Sequence, residues 1–414
     1  MTEKQLQDQM NRKDGPKRVI LDGIIKLTVR RDATIYIGKQ FVKGAIAIER
    51  PRITIDGTNA LLEVNVESCN QTDCSLFCVM PSAYDVRLLN LTIDITFPAC
   101  SDLPHMFSVI YNAAFGLQME NCRIRVRSQA QTDLVIIYNN GNLDTHLGTR
   151  ADNLVISDCF LEAVCDPELP LKKYTVYGLY NNLANSIAMR DTHIFVSSKG
   201  NGANQRAVGV YTSGRFGRFV GNNIKANGAH NLGKELEHAH AVGVINEGLH
   251  NLFTANNVIG ECAGEAVAFI NQGMYAEISS NKLLATHTIK GIALFNKGFE
   301  SLIMGNVIVS SSRNARLLVN AGEFCMVSHN ALDVFMGQDQ CKSGCGIYLP
   351  QGVKDNIIAE NLIRNVLDCA LFADANCGTI HGNRCVGCGA QIVYTSDLRM
   401  AEKLDERRIK SLYE

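Results

Sequence analysis

The sequence predicts an all-β solenoid: about twelve coils of three short strands each, stacked into one rod. Three observations carry this. First, the chain repeats itself: AVAFINQG is followed by EISSNKLL, GIALFNKG by SLIMGNVIV, and ARLLVNAG by MVSHNALDV. Second, the repeated strands are four to six residues long, rich in Val and Ile and punctuated by Gly and Asn. That composition suits strands, whereas helical repeats would need long amphipathic stretches of 3.6 periodicity. Third, Asn recurs at two fixed places in each unit. A buried Asn amide at a bend can bond to the coils above and below, giving a ladder along the stack.

The columns set the register. Inside the second strand the recurring residue is Asn222, Asn257, Asn281, Asn306, Asn330, Asn361 and Asn383, preceded by Leu91, Cys122, Cys159 and Thr192. The end of the first strand gives Asn112, Asn139, Asn181, Thr212, Asn246, Asn271, Asn296, Asn320, Pro350, Ala373 and Thr395. From this column to the next is ten or eleven residues in all units but one, where NLDTHLGTRAD is inserted. A constant short segment with a variable return loop is the signature of a solenoid. Coils stacked about 4.8 Å apart would make a rod of about 60 Å.

In chain order, residues 1–19 form an N-terminal cap, in which KQLQDQMNR reads as a short helix. Residues 20–396 form the solenoid, opening with VILDGIIKLTV, ATIYIGKQF and PRITIDGTNALLEV. Residues 397–414 read as a C-terminal helix, with Ser396 or Asp397 as N-cap and Leu398, Leu404, Ile409 and Leu412 near one face. Both ends are read as caps, because an open coil exposes strand edges.

The repeat resembles the right-handed parallel β-helix of the pectin-lyase-like superfamily over roughly residues 20–396; the handedness is what the resemblance implies. Inulin fructotransferases and difructose-anhydride hydrolases are similar in size and in joining a β-helix to trimeric association. No diagnostic motif of theirs matches residue by residue, so the resemblance assigns no catalytic residue. It implies a sugar-binding cleft between long loops and a flat parallel sheet. The Asp cluster with which pectate lyases gather calcium is missing.

Composition narrows the function. With 40 Lys+Arg against 41 Asp+Glu, no bulk positive field draws the chain to nucleic acid or an anionic membrane. Hydrophobic residues at 46% and charged ones at 20% exclude a disordered chain, and no apolar run reaches the roughly 18 residues of a membrane helix. The polar start MTEKQLQDQMNRKDG has no apolar signal core, so a cytoplasmic location is expected. The 15 Cys lie in apolar strands and read as buried thiols, not as zinc ligands, despite Cys385 and Cys388 in CxxC spacing and the nearby pair Cys341 and Cys345. With no Trp, a small oligosaccharide fits better than a long polysaccharide, with Tyr177, Tyr180, Tyr211, Phe269 and Phe295 as stacking rings.

The chemistry is expected where the long inserts VCDPELPLKKY, SSKGNGANQRA and NGAHNLGKELEHAH wall the sheet, opposite FMGQDQCKSGC. Six residues before each end-of-strand position the series runs Asp133, Thr175, Arg206, His240, Glu265, Lys290, Asn314. Four consecutive coils carry Arg, His, Glu and Lys, close enough for proton exchange or for a charge ladder that merely pairs across coils. Glu265, Glu237 and His240 are the catalytic candidates; Arg206, Lys290, Arg316 and His238 are the substrate-binding ones. GKELEHAH has the residue types of a metal site, but a Gly- and Asn-rich loop does not converge three ligands, so no metal and no cofactor are expected. Glu247 reads as a solvent-facing turn residue.

The function expected is glycosidic cleavage or rearrangement of an oligosaccharide. The alternatives are a polysaccharide lyase or epimerase, and a non-catalytic structural or sugar-binding β-helix. Apolar residues on both sides of the first strand, such as Val244 with Ile245 and Leu294 with Phe295, predict a stripe needing cover by inserts or by a second copy. A homo-oligomer, specifically a trimer, is the expectation.

Overall fold

The computed structural model describes residues 3–29, 35–37, 40–66, 73–99, 106–141, 151–167, 173–199, 205–228, 240–287, 289–335 and 343–394. Each coil contributes three strands, as in Glu265–Asn271, Glu277–Ser279 and Lys282–His287. The first strand of each coil joins a 14-stranded sheet, and the second and third join a 24-stranded sheet. Strands pair in parallel with their copies in neighbouring coils, Glu265 with Lys290 and Glu277 with Leu302. Antiparallel pairing among the described residues is confined to Ile35–Ile37 against Gln40–Ile48.

The second and third strands meet at a two-residue bend. Its first residue is left-handed from Asn90 onward: Asn90, Asn121, Asp158, Asp191, Gly221, Ala255, Ser280, Gly305, His329, Glu360 and Gly382 all have φ between 48° and 70°. A non-glycine residue there costs about 1–2 kcal/mol, and the next residue offsets it. Asn256 Nδ2 donates to Asn281 Oδ1 (2.9 Å) and to the Phe219 carbonyl (2.9 Å), and its own Oδ1 accepts from the Asn222 amide nitrogens. The pattern repeats through Asn281, Asn306, Asn330, Asn361 and Asn383. The ladder member is Asn256, not Asn257 as the spacing suggested. In the pair Asn256-Asn257 the left-handed Ala255 sets the bend one residue earlier, and Asn257 bonds to Asn223 on the surface (2.9 Å). Upstream, Thr192 and Cys159 occupy the expected place and are buried.

The second ladder runs Asn112, Asn139, Asn181 and Thr212, then Asn246, Asn271, Asn296 and Asn320. It continues to Asn356 (3.1 Å) rather than Pro350. Val319 pairs with Tyr348, so Asn320 faces the position of Leu349, and the next amide is supplied from the following short strand. The apolar column is displaced there too: Ile347, not Tyr348, aligns with Leu318, and Ile392, not Val393, aligns with Leu371.

The first strand does not alternate evenly. Val242 pairs with Val267 and Val244 with Phe269, yet Val242 faces outward and Val244 inward. The bend lies at Gly243, where a Cβ would stand 2.3 Å from Val258 Cγ1. Residues before the bend (206, 208) and after it (211) therefore share the outer face. Inside, Phe219 stacks on Phe253 (4.6 Å), which meets Phe269 edge-on (4.9 Å).

Helix Glu3–Asn11 closes the N-terminal end, with Leu6 and Met10 fully buried. The Gln7 amide both donates to the Ala47 carbonyl (2.8 Å) and accepts from the Ala47 N–H (2.9 Å), imitating a paired strand. The expected C-terminal helix lies outside the described residues. The twelve described cysteines are free thiols; burial pushes Cys78 and Cys165 up to about 12 and Cys262 to about 11. Cys385 and Cys388 are half-buried free thiols, and Cys341 lies outside the described residues. The outward stripe Ile245, Ile270, Phe295 and Val319 is buried within the single chain. It therefore no longer argues for a second copy.

Candidate functional site

The outer face of the 14-stranded sheet carries three rows of side chains. The first is the polar row read from the sequence. Thr175 pairs with Arg206, Arg206 with His240, His240 with Glu265, Glu265 with Lys290, and Lys290 with Asn314. Asp133 accepts from the Thr175 N–H (2.7 Å). Glu265 is 6% exposed and ion-paired to Lys290, so this part of the row is a charge ladder across neighbouring coils. Arg316 belongs to the second row, in register with Ile292 and Cys345, and its guanidinium lies 5.3 Å from the Tyr348 ring centre. The backbone of His240 is in register, but its side chain, and the whole of Glu237 and His238, lie outside the described residues. The core of the inserts that were to wall the cleft lies there too.

The third row holds what sequence reasoning only half found. Tyr111, Tyr138, Tyr180 and Tyr211 occupy one register position in four successive coils. Tyr180 and Tyr211 stack at 4.6 Å and 10°, Tyr138 tilts against Tyr180 at 5.3 Å, and Tyr177 meets Tyr180 edge-on at 4.9 Å. Tyr138, Tyr177, Tyr180 and Tyr211 are half-buried. Because the stacked pair spends its ring faces on each other, it presents edges and hydroxyls outward. Polar groups border the row: Asn140 donates to Tyr111 Oη (2.7 Å), Asn182 reaches Asn140 (3.4 Å), and Tyr211 Oη donates to Glu247 Oε2 (2.6 Å). Glu247 is exposed after the strand, as the sequence suggested, and is also a partner of the aromatic row. The available signal was the Tyr that directly precedes the ladder position at 111, 138, 180 and 211. Of the other rings proposed for stacking, Phe269 faces the core and Phe295 is 4% exposed.

The phenols are held neutral. Burial pushes Tyr138 and Tyr177 up to about 12. Burial raises Tyr180 and Tyr211 as well, with the Glu247 carboxylate adding to the rise. A phenol that resists ionisation is a hydrogen-bonding surface, not a ready base.

The described carboxylates of this face are spread along it, the nearest of those in the polar row being Asp73 and Asp133, two coil steps or about 10 Å apart. Asp133 and Glu265 are four coil steps apart, about 19 Å at the usual strand spacing. Glu247 sits at the opposite end of the strand from the polar row, about 23 Å from it at 3.3 Å per residue. Paired glycosidase carboxylates stand about 5–9.5 Å apart. Among the described residues no three His, Cys, Asp or Glu side chains converge as a metal site, and no helix is long and apolar enough to cross a membrane.

No family model and no curated protein sequence matches the chain. Solved structures do. PfbA, a surface adhesin of Streptococcus pneumoniae, superposes with a TM-score of 0.50 at 9% identity, over 95% of this chain and 89% of that one. A DFA-IIIase from Arthrobacter chlorophenolicus A6, without its lid and in complex with GF2, gives 0.48 at 12% identity, over 92% of each chain. The A-module of the Azotobacter vinelandii mannuronan C-5 epimerase AlgE4 gives 0.41 at 9% identity, over 91% and 88%. At such identities the likeness is one of fold alone.

Proposed function

We propose that this chain, whose fold is the parallel β-helix of the pectin-lyase-like superfamily, is a carbohydrate-acting protein that takes an oligosaccharide along the outer face of its 14-stranded sheet. The observation that carries this is the half-buried row Tyr138, Tyr180, Tyr211, bordered by Asn140, Asn182 and Glu247. Neutral phenols, amides and a carboxylate supply the donors and acceptors that sugar hydroxyls need, along a row of ring edges. Coils repeat about every 4.8 Å, close to the length of a sugar unit, so successive units meet successive coils.

The finer reading is cleavage or internal transfer at a glycosidic bond of an oligosaccharide inside the cell. Glu265, the ion-paired carboxylate, suits the base or nucleophile role, Glu237 the acid, and His240 proton transfer between them. Arg206, Lys290, Arg316 and His238 hold the substrate. Elimination or epimerisation by a tyrosine base is disfavoured, because the phenols are pushed upward. A non-catalytic saccharide-binding role is the second reading, and the ion pair that ties Glu265 to Lys290 in a cross-coil charge ladder favours it.

The test is incubation with fructan, uronate and neutral oligosaccharide panels, followed by product masses and by affinity electrophoresis on the same sugars. Products heavier by one water mean hydrolysis; products without that gain mean elimination or anhydride formation. Retention without turnover supports the binding role. Neither retention nor turnover, with Tyr180→Ala indistinguishable from the parent, would sink the proposal.

A further inference from the structure

We infer that a groove on the outer face of the 24-stranded sheet is a second binding site, for a small zwitterion whose ammonium and carboxylate stand about 7 Å apart, the span of an extended dipeptide. The groove encloses about 670 Å³ over the strands Arg18–Val29, Thr54–Val66, Thr92–Phe97 and Arg123–Ser128. It lies on a different sheet from the tyrosine row and does not depend on the saccharide reading.

Register arranges its floor. Lys26, Glu63, Asp94 and Arg125 form one row across four coils, and Thr28, Asn65, Thr96 and Arg127 form the next. Two like-charged neighbours result. Glu63 and Asp94 are directly opposite on adjacent strands. Arg125 and Arg127 are two apart on one strand and so face the same way. Like charges directly opposite are destabilising unless something offsets them. The fold offsets one member of each pair: Lys26 Nζ is 4.0 Å from Glu63, and Arg125 Nε is 3.6 Å from Glu162. Asp94 and Arg127 have no ion pair among the described residues, and Asp94 Oδ1 is out of solvent contact without a hydrogen-bond partner.

Asp94 stands directly opposite Arg125 on the next strand, so the groups left without an ion pair are one carboxylate, Asp94, and one guanidinium, Arg127. The acidic and basic pairs are separated by about one and a half strand spacings, or about 7 Å. A ligand ammonium against Glu63 and Asp94, with its carboxylate on the guanidinia of Arg125 and Arg127, meets both. The lining contains no aromatic residue, so charge and the polar side chains of Thr28, Asn65 and Thr96 hold the ligand. That distinguishes it from a stacking saccharide.

Calorimetric titration of the intact protein with glycylglycine tests this, against N-acetylglycine, which keeps only the carboxylate, and glycylglycinamide, which keeps only the ammonium. Glycylglycine is expected to bind saturably and at least tenfold tighter than either. Arg127→Gln is expected to reduce its affinity to that of glycylglycinamide, and Asp94→Asn to that of N-acetylglycine. Equal binding of the three ligands by the parent protein, or no saturable binding of any, overturns the inference and needs no variant to fold. Calcium binding alone, with no response to glycylglycine, overturns it in favour of a cation site.

Discussion

The outer face of the 14-stranded sheet changes character along the rod while its backbone stays the same. Toward the N-terminus the row after the strand bend is Tyr138, Tyr180, Tyr211, half-buried and bordered by amides and Glu247. One coil later the same position becomes Ile245, then Ile270, Phe295, Val319, Tyr348 and Phe372, all buried as a second hydrophobic cluster outside the rod. Both halves rest on the same Asn ladder and the same inward core. A parallel β-helix thus leaves the outer face free to be packed or presented, coil by coil. Residue type at one register position follows this in most coils: aliphatic and Phe side chains prevail where the chain covers itself, with the phenol Tyr348 among them, and the half-buried positions 138, 180 and 211 are all Tyr.

The largest effect expected from that difference is on stability. Phe295→Ala removes a buried ring and should cost about 3–5 kcal/mol in urea unfolding, while Tyr180→Ala, at a half-buried site, should cost clearly less. Equal losses would erase the distinction between the halves. Next is the ladder beneath both. Asn281→Ala deletes the amide that serves Asn256, Asn306 and the Phe253 carbonyl. It should cost about 2–3 kcal/mol, as orphaned buried groups do. A much smaller cost would mean that neighbouring coils relax to satisfy themselves.

A subtler probe is Tyr211→Phe. It keeps the stacked ring and removes only the hydroxyl that donates to Glu247, so stability should fall by about 1 kcal/mol. Saccharide retention should weaken, whereas Val319→Ala should leave retention unchanged. The smallest and broadest signal is alkaline titration. The phenols of the N-terminal row have raised folded-state values, so their stabilising contribution is complete below the ordinary tyrosine value near 10. It is lost as pH rises from there toward about 12, where Tyr138 and Tyr177 ionise in the fold. Ultraviolet absorbance should show these tyrosinates appearing late, or only with unfolding. Their appearance at pH 10 in the folded protein would mean the row is solvated.

Much of this was legible in the sequence because a β-helix writes its register as columns. The polar row from Thr175 through Asn314 was read residue for residue, since the strands carrying it pair without slippage. Reading failed where two candidates stood side by side. Asn256 and Asn257 are identical in type, and only the left-handed Ala255 decides between them. Near Pro350 the ladder amide comes from a different strand, which no column could reveal. Glu247 was read correctly as solvent-facing, but its bond to Tyr211, 36 residues away, lay outside any column.

The three-strand coil and the two Asn columns were legible in the sequence alone. These follow from local periodicity repeated many times, and each repeat corrects the reading of the others. Tertiary structure alone settled which outward residues are covered and which groups meet outside the rows read from the sequence: Tyr211 with Glu247, Glu63 beside Asp94. Those outcomes depend on how return loops of unequal length bring distant residues into one row. Spacing along the chain does not encode them, because solvent and the neighbouring coil compete for the same outward side chain.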